Sequence, residues 1–249
     1  LLIQKKRIPA VIWIQTAITF VAFVILFMAP GNEMRVASEI TTWMPGYKEL
    51  SVGKHLFMTI QWMLSSFANE GKAFFIAIWT AGFLLLMKSK KAKVYQILAV
   101  VFSVVALLPY AGISFFSEMG IGYIDIEQRL TELPTWQTMN IQNRIAFFWW
   151  IAAVLFTMVL LWKVTGHSVF ISMVFLGGIA SEAVLHFSPT IYASGARVYY
   201  LTDLMYLFII LWMVMRMDSE KKKNLFIAGA AALGIINFLS QYSIMLLKL

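Results

Sequence analysis

Apolar runs alternate with polar segments along the whole chain. The runs cover about residues 8–28, 72–87, 94–111, 145–162, 168–187, 198–215 and 225–246. Each approaches the ~20 apolar residues that let a helix cross a bilayer, and each is too long and continuous for a barrel strand. The pattern therefore predicts an all-α membrane protein with about seven transmembrane helices. An eighth segment, 55–69, is apolar with Ser and Gln interspersed and stops at Asn69-Glu70-Gly71-Lys72. Were it a span, the cluster Lys88-Ser89-Lys90-Lys91-Ala92-Lys93 would face outward, so it is read as an interfacial or re-entrant helix leading into the second span.

Charge sets the orientation. Gln4-Lys5-Lys6-Arg7 precedes the first run and places the N-terminus in the cytoplasm by the positive-inside rule. With that start, the inner segments hold 12 of the 20 basic residues, offset only by Asp218 and Glu220. The outer segments hold the other eight, spread over far more residues and accompanied by eight carboxylates. The segment 29–54 is then a wide outer loop. A second outer segment, 112–143, contains an amphipathic stretch (Ile124 to Leu133) stopped by Pro134. The fourth run carries Phe147-Phe148-Trp149-Trp150 near its outer end, as an aromatic belt would.

Composition agrees: of 249 residues, 61% are hydrophobic and 13% charged, against about a quarter charged in soluble chains. The net charge of +8 is gathered beside the runs, which argues for a membrane surface and no nucleic acid. There is no cysteine, and His55, His167 and His186 fit none of the usual metal spacings. The runs fill the chain, so residues 1–249 form a single polytopic domain. Because the first residue is Leu, the chain is expected to be the C-terminal part of a longer protein. No phosphate-binding glycine loop, zinc-protease motif or retinal-bearing lysine in the seventh run is present.

Two places carry candidate chemistry. Pro30 and Gly31 end the first run, since proline lacks an N–H and glycine tolerates the turn that follows. Asn32 and Arg35 are thereby delivered together at the membrane surface, where a guanidinium suits a lipid phosphate. The second place is the pair of carboxylates within apolar runs, Glu182 and Asp203; such groups cost roughly 2.5–3.5 kcal/mol each on insertion scales. Glu182 and His186 share a helix face, and Asp203 lies about 9 Å along the next helix from Arg197 at the helical rise. These four would line one outward-facing polar pocket; a structural ion pair such as Glu182 with Arg197 is the other reading. Gly177-Gly178, Ala180 and Ser181 would allow close packing around Glu182, as would Gly229 to Gly234 in the last run.

Ala29-Pro30-Gly31-Asn32-x-x-Arg35 after an outward-going run resembles the hallmark of a bacterial group of multi-span proteins related to the GT-C superfamily of glycosyltransferases. Ser188-Pro189 followed by Arg197 echoes a Ser-Pro…Arg element of that group. The resemblance implies an enzyme that uses a polyprenyl-phosphate-linked sugar at the outer face of the bacterial cytoplasmic membrane to modify a cell-envelope glycan. It implies carrier-phosphate binding by Asn32, Arg35 and Arg197, and a catalytic base upstream of this chain. A divalent cation often assists the GT-C reaction, with Glu118 or Asp125 as carboxylates that would contribute. The rival expectation is a non-catalytic transporter or lipid-sugar flippase, with Glu182 and Asp203 as pathway or proton-relay groups.

Overall fold

The computed structural model describes residues 32–44, 46–111, 136, 141–184, 188, 189 and 199–246, with scattered positions (14, 17, 18, 21, 24, 25, 28) before them. Among the described residues every regular element is helical. The α-helices are α1 (Asn32–Trp43), α2 (Val52–Ser66), α3 (Lys72–Leu86), α4 (Lys93–Leu107), α5 (Ile141–Val164), α6 (Val169–Ala183), α7 (Tyr200–Met215) and α8 (Glu220–Leu246). A π-helical segment, Phe67–Gly71, joins α2 to α3, and short 3-10 turns precede α2 and α4 and follow α4.

Most helix ends fall within a few residues of the expected runs, but among the described residues not every run forms a helix of spanning length. Among the described residues one helix, Asn143–Val164 within α5, is long and apolar enough to cross a membrane. The apolar helices α3, α6 and α7 have 15, 15 and 16 residues, about 22–24 Å against a ~30 Å hydrocarbon core. The third run is cut short where α4 gives way to a 3-10 turn at Leu108–Ala111. The last run forms a helix of 27 residues, α8, whose uncharged part follows the opening Glu220-Lys221-Lys222-Lys223. Of the first run only scattered positions are described; Ile14, Ala17, Ile18, Val21, Val24 and Ile25 are helical.

Two segments depart from their expected form. The segment expected as an outer loop contains a helix, α1, from Asn32 to Trp43. The 55–69 segment does lead into the helix of the second run, but without a break. Ser66, Phe67, Gly71 and Lys72 all keep right-handed helical angles, so α2, the π turn and α3 form one helical path. Phe57 of α2 packs on Phe147 of α5 at 5.9 Å, and Trp79 of α3 donates to Thr157 of α5 at 2.7 Å. Between these contacts α2–α3 advances about 33 Å while α5 advances about 15 Å at ~1.5 Å per residue. α2 therefore slants across the end of the bundle instead of continuing along α5.

α3 is the centre of the bundle, contacting α4, α5, α7 and α8. Phe75 is fully buried, with ring contacts to Phe67, Trp79, Trp150, Phe175 and Tyr206 at 5.2–6.3 Å. Gly82 lets α3 approach α5 closely: a Cβ there would lie 2.7 Å from Leu160 Cδ2. Gly178 does the same for α6 and α7, with Tyr206 Cε1 3.0 Å from a Cβ. Gly229 and Gly234 do not, since nothing lies within 4 Å of a Cβ at either. α8 packs instead through Phe226, Ala230 and Leu233.

One end of the bundle is rich in lysine. Lys88, after α3, and Lys222, in α8, both reach Asp218, at 2.7 and 2.9 Å. Lys222 Nζ also donates to Leu84 O at 2.9 Å, capping the end of α3. The basic segments expected on the inner side, 88–93 and 216–223, thus meet at this end. The tight α5–α6 turn places Gly166 and His167 at φ 63° and 68°, the left-handed region that a non-glycine residue seldom adopts.

Candidate functional site

The opposite end holds the polar cluster. Glu182 closes the last turn of α6 and is 2% exposed. Ser66, at the end of α2, brings its hydroxyl within 2.8 Å of Glu182 Oε2 and within 2.8 Å of Met63 O. Thr202, at the start of α7, lies in hydrogen-bonding reach of the same carboxylate. Its hydroxyl donates to Gly178 O at 3.0 Å and lies 2.9 Å from Ser181 Oγ, while Ser181 donates to Gly178 O at 2.7 Å. The small residues of α6 bring α7 near enough for this network.

Asp203 is half-buried in the first turn of α7, where the helix N-terminus favours a negative charge. Glu70, carried by the π turn, lies within electrostatic reach of Asp203 and Glu182. Three carboxylates from three segments thus face one region. Tyr199 and Tyr206 lie in their field, and Trp62 of α2 covers Tyr199 at 5.2 Å between rings.

Of the residues singled out from sequence, Glu182 and Asp203 are brought together. Arg35 is elsewhere: it is exposed on α1 and pairs with Glu39 at 2.8 Å, one turn along the same helix. Asn32 is the first residue of α1 rather than part of a loop. His186, Arg197, Glu118, Asp125 and the amphipathic stretch 124–133 lie outside the described residues. Among the described residues no group of three His, Cys, Asp or Glu is arranged to hold a metal ion. No Lys, Arg or His among the described residues lies within ion-pair distance of Glu182 or Asp203.

Sequence reasoning missed Ser66, Glu70, Thr202 and Tyr206. The π turn is the reason for Glu70: Asn69-Glu70-Gly71-Lys72 looks like a polar break, yet the helix runs through it. π turns recur at functional sites because the extra residue re-aims its neighbours. Ser66 has no local signal, for its partner is 116 positions away.

Comparison with family models, with curated proteins and with solved structures gives no match.

Proposed function

We propose that the chain is a polytopic membrane protein of seven spans, N-terminus in the cytoplasm, that handles a polyprenyl-phosphate-linked sugar at the outer face of the bacterial membrane. Glycosyl transfer onto a cell-envelope glycan is the reaction we assign to it. The observation that carries this reading is the cluster of Glu182, Asp203 and Glu70, with its hydroxyls, at the end of the bundle away from the lysines. Carboxylates and hydroxyls accept the hydroxyl protons of a neutral sugar. The carrier's phosphate belongs with cations, Arg35 and Arg197, whose charge offsets that of the departing phosphate.

The surface supports the membrane part of the reading. Large apolar side chains stand exposed along α4 (Val94, Ile97, Val101, Val104), α5 (Phe148, Leu155, Val159) and α8 (Ile227, Ile235, Phe238). Soluble monomers rarely expose contiguous apolar surface beyond a few hundred Å², whereas acyl chains cover such faces without cost. With Lys88 and Asp218 cytoplasmic, the acid cluster faces outward. The pairing of Arg35 with Glu39 does not remove it from phosphate chemistry, because an exposed i,i+4 pair is worth only ~0.3–0.5 kcal/mol.

A transporter or flippase is the second reading, favoured by the want of a cation beside Glu182 among the described residues. Reconstitution separates the two. Proteoliposomes carrying a radiolabelled polyprenyl-phosphate sugar and envelope glycan acceptors should release free carrier phosphate and label the glycan, and Asp203→Asn should abolish this. Movement of the intact lipid-linked sugar between leaflets, without transfer, would select the flippase. Neither activity would overturn both.

A further inference from the structure

A buried carboxylate needs a positive charge, and the described residues around Glu182 supply none. Glu182 is 2% exposed, and leaving a carboxylate unpaired in such a place is costly. The charged groups that face it make this worse. Asp203 comes from α7 and Glu70 from the π turn, both of like sign. Tyr199, just before α7, and Tyr206, on it, also lie in its field, and α2 contributes the hydroxyl of Ser66. Lys72, the nearest lysine in the chain to Glu70, has its ammonium 4.6 Å from the ring centre of Tyr110 instead.

Tyr206 is 1% exposed, and its hydroxyl has no hydrogen-bond partner. Buried polar groups are nearly always paired, so an orphan marks a place where something else binds. Helical side chains lean toward the helix N-terminus, which for Tyr206 is the direction of Thr202 and Asp203. Its ring edge lies 3.0 Å from a Cβ at Gly178, one turn before Glu182 on the same face of α6.

We propose that Glu182 is the anchor of a monovalent-cation site, occupied by a proton or a sodium ion, with Ser66, Thr202 and Tyr206 supplying neutral oxygens. Hard cations take oxygen ligands of this kind, and one buried carboxylate neutralises one positive charge. A bound proton also completes the hydrogen bonding. Ser66 has one hydroxyl proton but two acceptors at 2.8 Å, Glu182 Oε2 and Met63 O. A proton on Glu182 Oε2 donates to Ser66 Oγ and leaves the Ser66 proton for Met63 O. Because Ser66 abuts the π turn that carries Glu70, an occupied site ties α6 to that turn, and an empty one sets two like charges against each other across it. The inference rests on the bundle, not on glycosyl transfer, so a protein that responds to cations but transfers no sugar sinks only the latter.

The test is the thermal unfolding midpoint of the full chain in detergent micelles. One arm compares sodium chloride with choline chloride at pH 8; the other lowers the pH from 8 to 5.5 in choline chloride alone. In one arm or both the wild-type midpoint should rise, and the arm that responds names the cation. Glu182→Gln, which keeps the shape and removes the charge, should be insensitive in that arm. Asp203→Asn should keep the response but need more sodium or a lower pH, since a neighbouring negative charge is gone. If Glu182→Gln does not fold, Tyr206→Phe and Ser66→Ala keep the carboxylate and each remove one oxygen, and both should weaken the response. A wild-type midpoint flat in both arms overturns the proposal, as a pair with Arg197 would produce. So does a Glu182→Gln response equal to wild type, or unchanged half-effects in both oxygen variants.

Discussion

The Ser66 hydroxyl sits 2.8 Å from Glu182 Oε2, joining the end of α2 to the end of α6 across 116 positions of sequence. Both groups are buried, so the contact is not exchanged for water when it breaks. Ser66→Ala should lower stability by about 1–3 kcal/mol, the cost of stranding a buried polar partner. Unfolding in mixed detergent, followed by far-UV circular dichroism, measures it. A variant as stable as wild type would mean that the Ser66–Glu182 contact contributes nothing to stability.

Close helix approach makes a second prediction with its own control. Gly82→Ala drives a methyl group to 2.7 Å from Leu160 Cδ2, and Leu160 is fully buried. Overpacking of this kind costs about 1–3 kcal/mol. Gly234→Ala meets nothing within 4 Å and should stabilise α8 by up to ~1 kcal/mol through helix propensity. Thermal midpoints of the two variants should therefore move in opposite directions.

The lysine-rich end gives a pH dependence whose sign is fixed. Hydrogen bonds from Lys88 and Lys222 hold the Asp218 carboxyl well below the usual carboxylate range. A depressed folded-state value stabilises the fold above the ordinary aspartate pKa of ~3.9 and loses that stabilisation as pH falls through the folded value. Asp218→Asn should thus lower the unfolding midpoint at pH 7, modestly because the pair is solvent-exposed. The difference from wild type should shrink on acidification below about pH 4. A difference that stays constant with pH would assign the loss to the amide's packing rather than to charge.

How far the sequence reveals these features depends on the range of the interaction behind each. Apolar periodicity is local, so α3, α6 and α7 begin and end close to where the runs do. The clustering of Lys88 with Asp218 follows from charge along the chain, which segregates to one end. The cost of burying charge points to Glu182 as an interior residue, and it is buried. By contrast, α1 is hidden because a polar helix with Arg35 and Glu39 one turn apart has no apolar run to announce it. Glu70 is hidden because a π turn keeps a polar tetrapeptide helical. Gly229 and Gly234 look like a packing seam, yet which face α8 turns to its neighbours is decided by Phe226, Ala230 and Leu233.

We propose a membrane bundle with its acid cluster outside and its lysine clamp inside. Since the chain has no cysteine of its own, single cysteines report sidedness without background. Glu49, in the turn before α2, and Lys90, in the turn before α4, are exposed and lie outside the acid cluster. In intact cells an impermeant maleimide should label Glu49→Cys, and should label Lys90→Cys only after the membrane is permeabilised. Labelling of both from outside, or recovery of the protein in the soluble fraction after lysis, would contradict it.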